Sequence, residues 1–152
     1  MMTGVSFEAE LDLSEAQAKL ARLSTSDLDA LTYAIGSLIE DQTKRRINSE
    51  KTAPDGTPWA PWSKAYAEGL KDMGKTARSL LVAENHLLTS IQNYTTGETA
   101  RVGTNLIYGA IHQFGGEAVG IPIPARPYLG LSDENAREIT DLVADTLEDL
   151  LQ

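Results

Sequence analysis

The segment from Ser132 to the end of the sequence constrains this chain most. After Ser132 come Asp133 and Glu134, and then Ile139, Leu142, Val143, Thr146, Leu147, Leu150 and Leu151 recur three or four residues apart. That spacing predicts one helix with a single apolar stripe, a serine N-cap and acid at its positive end. The opposite side carries Asp141, Asp145, Glu148 and Asp149, which reads as a solvated face. A helix of this kind is not stable alone in water. The rest of the chain has to supply a layer that covers the stripe and leaves the acid outside.

A second helix, expected from about Asp27 to Asn48, offers that layer through Leu28, Leu31, Ile35, Leu38 and Ile39. Asp27 and Asp29 stand at its start and Lys44, Arg45 and Arg46 at its end. This arrangement compensates the helix dipole, and the three cations read as solvated rather than as a nucleic-acid contact. At the front, Val5, Phe7, Ala9, Leu11 and Leu13 alternate with polar residues, the period of a half-buried strand. Ser14 to Gln17 reads as a capping box before a short helix to about Leu23.

Between Ser49 and Arg78 the periodicity collapses. Pro54-Asp55-Gly56-Thr57-Pro58 is a turn by composition, followed by Trp59 and Trp62 on either side of Pro61. We expect a long loop over about 49–78, with at most a short helix around Ser63–Leu70, that orders against neighbours. Beyond it, Leu80–Ile91 predicts a helix. Gln92–Thr95 and Glu98–Gly103 predict a hairpin around Thr96-Gly97. Ile107–Phe114 predicts one or two helical turns ending at Gly115-Gly116. Pro122, Pro124 and Pro127 keep Val119–Leu131 extended. The fold class is α+β: a single domain over 1–152, with a small, mostly antiparallel sheet packed with two long helices and an extended loop.

The chemistry that the residues exclude is broad. With no cysteine among 152 residues, disulfides and cysteine-based zinc sites are out, and synthesis in a reducing cytosol is the natural expectation. The net charge of −9 argues against a protein that grips phosphates. Acidity reads first as solubility, and it also suits DNA that must slide past without sticking. His86 and His112 each stand alone and read as structural. Phosphate-binding glycine loops, zinc-protease spacings and nucleophile elbows are missing. No catalytic, cofactor-binding or metal-ligating residue is expected, and the chain reads as no enzyme. Neither a membrane-length apolar run nor a signal peptide is apparent, so we expect a protein that is soluble and not exported by itself.

Several groups nevertheless look suited to contacts. Trp59 and Trp62 either fold back on the core or fill a pocket on a neighbour. His112-Gln113-Phe114-Gly115-Gly116 reads as a helix end, with Phe114 buried, a glycine giving the left-handed cap, and His112 and Gln113 bonding the adjoining loop. Pro124 and Pro127 hold Arg126 in a stiff, extended frame, which suits a carboxylate on the same chain or on a next subunit. With Tyr128, these seven are the interface candidates.

Three strings are unusual together: Ala53-Pro54-Asp55-Gly56-Thr57-Pro58-Trp59-Ala60-Pro61-Trp62, Tyr108-Gly109-Ala110-Ile111-His112-Gln113-Phe114-Gly115-Gly116, and Ile123-Pro124-Ala125-Arg126-Pro127-Tyr128-Leu129-Gly130-Leu131-Ser132. With Leu87-Leu88-Thr89-Ser90-Ile91, their order and spacing resemble the phage virion morphogenesis family, the tail completion proteins of the Mu type. The likeness runs from about Leu28 to the end. One departure is Glu84-Asn85-His86-Leu87, where many members carry T-G-x-L. The resemblance implies a structural protein of the virion, made in the host cytoplasm and placed at the head–tail junction. There it would form a ring, expected to be a hexamer, that terminates the tail tube and joins it to the head connector. The implied partners are the tail tube protein and the connector or neck proteins. DNA would pass through the lumen without specific binding, and no cofactor or membrane is involved. Six copies would carry a charge of about −54. The alternative is another neck component, an adaptor or stopper of the connector.

Overall fold

The computed structural model of the chain describes residues 4–8, 17–74, 80–82 and 85–152. Along it run strand β1 (Val5–Phe7) and helices α1 (Gln17–Leu20), α2 (Thr25–Arg45), α3 (Lys64–Asp72) and α4 (His86–Ser90). Strands β2 (Gln92–Asn93) and β3 (Val102–Thr104) follow, then helices α5 (Ile107–Phe114) and α6 (Asp133–Leu150). The class is α+β, as the sequence predicts. The sheet has the order β1-β3-β2 with both pairings antiparallel, Ser6 and Gln92 each facing Gly103. β3 is central and wholly buried. β2 and β3 are the expected hairpin with shorter strands, closed by Tyr94 N donating to Arg101 O at 2.6 Å and by the Thr96–Thr99 bridge.

α2 starts two residues before the predicted point, because the Ser24 side chain accepts from Asp27 N. Its buried residues are Leu31, Gly36, Ile39, Gln42 and Thr43, and the wider π turn that continues it, Arg46–Glu50, buries Arg46 and Ile47. A Cβ on Gly36 would lie 2.2 Å from Thr95 Oγ1 and 2.4 Å from Asn93 Oδ1, so glycine is what lets the helix lie against the hairpin. That contact also covers the sheet edge: Asn93 N donates to Glu40 Oε2 at 2.8 Å.

α6 opens with a capping box in which Ser132 and Asn135 bond each other's backbone. Ile139 of α6 joins Ile39, Ile47, Trp59, Leu87, Ile91, Val102 and Tyr128 in the main core. Farther along the same helix pair, Val143 and Leu147 pack on Leu31 in a second cluster, flanked by Leu20 and Leu23. Asp141, Asp145, Glu148 and Asp149 are exposed.

Three expectations need correction. Leu80–Ile91 is not one helix, since Leu81 and Asn85 have φ of 59° and 62°, which a right-handed helix cannot contain; only α4 forms. The segment after α2 is held by its own chain rather than waiting for neighbours. Ala53 N donates to Thr57 O at 2.8 Å, Trp59 N donates to Lys51 O at 3.0 Å, and α3 follows where a short helix was allowed. Finally, Lys44 and Arg45 do form surface pairs, with Glu40 and with Glu50 and Glu138, but Arg46 is 1% exposed. Its Nη1 donates to Tyr128 O (3.0 Å) and Gly130 O (3.1 Å), and its Nη2 to Asn135 Oδ1. The predicted capping box at Ser14 and the strand alternation beyond Glu8 lie outside the described residues.

Candidate functional site

The three unusual strings converge on one junction. Pro58 and Pro61 keep the first string out of helix and leave carbonyls with no partner in secondary structure. Arg126 supplies the missing donors: its Nε bonds Ala60 O at 2.7 Å and its Nη2 bonds Pro61 O at 2.9 Å. In return, Trp59 Nε1 donates to Pro127 O at 2.8 Å. The clasp is thus reciprocal, each segment donating to the other's backbone. The guanidinium lies 5.2 Å from the Trp62 ring centroid, and that ring is tilted against Tyr66 at 4.8 Å. Arg126 is 2% exposed, and burial lowers its pKa. The expected carboxylate partner is therefore replaced by two carbonyls, which the planar fork reaches together.

The second string is fastened to the third from the other side. Gln113 Oε1 accepts from Tyr128 N (3.0 Å) and Leu129 N (2.9 Å), while its Nε2 donates to Leu129 O (3.2 Å). Arg126 N donates to His112 O at 2.7 Å. Tyr128 is fully buried, its hydroxyl donates to Gly109 O at 2.7 Å, and burial raises its pKa. Gly115, at φ 82°, ends α5 by donating to Ile111 O.

Of the seven candidates, six meet here. Trp59, Arg126 and Tyr128 are buried in their own chain, and Trp62, His112 and Gln113 are half-buried. Phe114 does not join them. It was expected in the core and is 71% exposed. The reason is helical phase: Gly109 and Gln113 face Tyr128 and Leu129, and Phe114 is turned about 100° further round. An eight-residue helix that is apolar nearly all round can bury only one of its sides. Sequence reasoning missed Arg46 and Asn135, which tie this junction to α2 and α6; their position at helical spacing from Ile39 and Ile139 was the available clue.

Beside the junction lies an open cavity of about 250 Å³ walled by Trp62, Leu81, Leu87, Tyr108 and His112. Tyr108 meets His112 edge-on at 6.0 Å. Burial, and secondarily the Arg126 charge, holds the imidazole pKa below its ordinary 6.5. A folded pKa below the unfolded one means the unfolded chain binds the proton more readily. His112 therefore contributes stability that is complete above 6.5 and is lost as pH falls toward the folded value. His112→Gln should flatten the loss of stability just below pH 6.5, measured by urea unfolding at several pH values. An unchanged slope would remove His112 as its source. Among the described residues no group of three or more His, Cys, Asp or Glu could hold a metal ion, and no helix is long and apolar enough to cross a membrane. What the junction does chemically is tie backbone segments together through side-chain donors and acceptors.

The sequence profile of the phage virion morphogenesis family matches residues 10–148 of this chain. The chain is 29% identical over 138 residues to a protein of Escherichia phage Mu described as putative capsid assembly protein G, 88% of each being covered. It is 28% identical over 138 residues to tail completion protein S of Escherichia phage P2, covering 83% of this chain and 88% of that one. It is also 39% identical over 75 residues to the Mu-like prophage FluMu G protein 2 of Haemophilus influenzae, covering 47% and 54%. No solved structure matches.

Proposed function

Since this chain belongs to the phage virion morphogenesis family, we propose that it is a non-catalytic structural protein of the virion that completes the tail at the head–tail junction. In this reading copies form a ring, with six subunits as the expected number, between the tail tube and the head connector. The observation that carries the proposal is the family match over residues 10–148, nearly the whole of this chain. The Mu and P2 relatives, described as proteins of capsid assembly and of tail completion, support it. So does the site, whose guanidinium, amide and indole groups are occupied in joining segments of the chain. The exposed carboxylates of α6 and the net charge of −9 suit a lumen that DNA crosses without adhering.

The test is genetic and visual. Deleting the coding sequence from the phage or prophage that encodes this chain should leave filled heads and unattached tails in negative-stain images, with joined particles restored by supplying the protein. Joined, infective particles in its absence would sink the proposal.

A further inference from the structure

α5 is fastened to the core on one side and bare on the other. Ile107 and Phe114, seven residues apart and so on the same side of the helix, are 69% and 71% exposed. The chain then folds back beside the helix end, Ile121 N donating to Gly116 O at 2.9 Å, and Val119 and Ile121 are exposed there as well. Single exposed apolar residues need no explanation, but several large ones in one short stretch mark an interaction surface.

Charge indicates what covers it. From Val102 to Ala125 the only formally charged side chain is Glu117, in a chain of net charge −9. Two copies of so acidic a protein repel each other and can approach closely only where charge is absent. A basic partner would be drawn instead to Asp141, Asp145 and Glu148 on α6. The surface is also pre-formed, because Gln113, His112 O and Gly109 O pin the opposite side of α5. Little ordering entropy is then lost on contact. We infer that the Ile107–Phe114 face of α5, with Val119 and Ile121, is where one copy of this chain docks on a second. The inference rests on the assembly reading above and gives that assembly its contact residues.

Two measurements on the purified full chain test it. In light scattering across a concentration series, wild type should rise above monomer mass, and Phe114→Asp should weaken association by about 30-fold or more, the size of an interface hot spot. Ile107→Asp should do the same, while Tyr33→Asp, at another exposed aromatic, should associate like wild type. Circular dichroism should show all three variants folded. With a photoreactive phenylalanine at 114, irradiation should give a covalent dimer. Wild type that stays monomeric throughout, or Phe114→Asp that associates normally, would overturn the inference. A protein found in purified particles yet monomeric alone would overturn the self-contact and leave the virion role standing. Self-association of a protein absent from particles would do the reverse.

Discussion

Arg46→Ala is expected to cost about 3–5 kcal/mol of folding stability and to lower Tm by roughly 10 °C. One guanidinium joins three parts of the fold: the end of α2, the carbonyls of Tyr128 and Gly130, and Asn135 in the first turn of α6. Its removal leaves two buried acceptors and one part-buried one short of a donor, each buried one worth about 1–3 kcal/mol when nothing replaces it. It also leaves a cavity among residues that are themselves packed. Asn135 loses least, since its side chain still accepts from Ser132 N at 3.1 Å.

Burial lowers the Arg46 pKa, and Glu50, whose Oε2 lies 4.0 Å from Arg46 Nε, opposes that shift. The side chain remains a cation because an arginine keeps its proton in proteins. Arg46→Lys preserves the charge without the fork and should recover less than half of the loss. Arg46→Met fills the space without donating and should fall between Ala and wild type. Urea unfolding of the three variants measures this, and an Ala variant within about 1 kcal/mol of wild type would mean that water satisfies the carbonyls. For a domain whose whole stability is about 5–15 kcal/mol, the expected loss is a large share.

The same residue shows where the sequence was legible and where it was not. The helices α2 and α6, the hairpin and the α+β class follow from periodicity, because apolar residues recur at the spacing each element needs. Leu31 and Ile39 are buried where the stripe put them, and Ser132 caps α6. The stripe on α2 does not stop at Ile39, however. It continues through Gln42, Thr43 and Arg46, whose polar identity hides their burial from any pattern of apolar residues. Gln42 donates to Asn135 O and Glu138, and Arg46 donates to the carbonyls of Tyr128 and Gly130; these partners lie some ninety residues away, beyond what local spacing can reveal. Phe114 fails in the opposite direction. Hydrophobicity predicts burial, but helical phase is fixed by Gly109 and Gln113. The short left-handed interruption at Leu81 and Asn85 had no glycine to announce it.

The clasp between the first and third strings yields the second large effect. Trp59→Ala should cost about 3–5 kcal/mol, as an indole is lost from the main core together with its bond to Pro127 O. Arg126→Ala should cost about 2–4 kcal/mol, because Ala60 O and Pro61 O are left without donors. The two changes open the same junction, so the double variant should lose less than the sum, with a coupling of about 0.5–3 kcal/mol. Arg126→Ala also removes the cation from the Trp62 face, and the tryptophan emission should shift to longer wavelength before unfolding. Losses that add within about 0.5 kcal/mol would show two separate contacts and not one clasp. A coupled result carries further. Arg126 also donates its N–H to His112 O, and Gln113 holds Tyr128 and Leu129, so α5 and its exposed face rest on the segment that the clasp holds. Weakening the clasp should then loosen self-association even with Ile107 and Phe114 intact, which ties the buried residues of the three strings to a surface that none of them reaches.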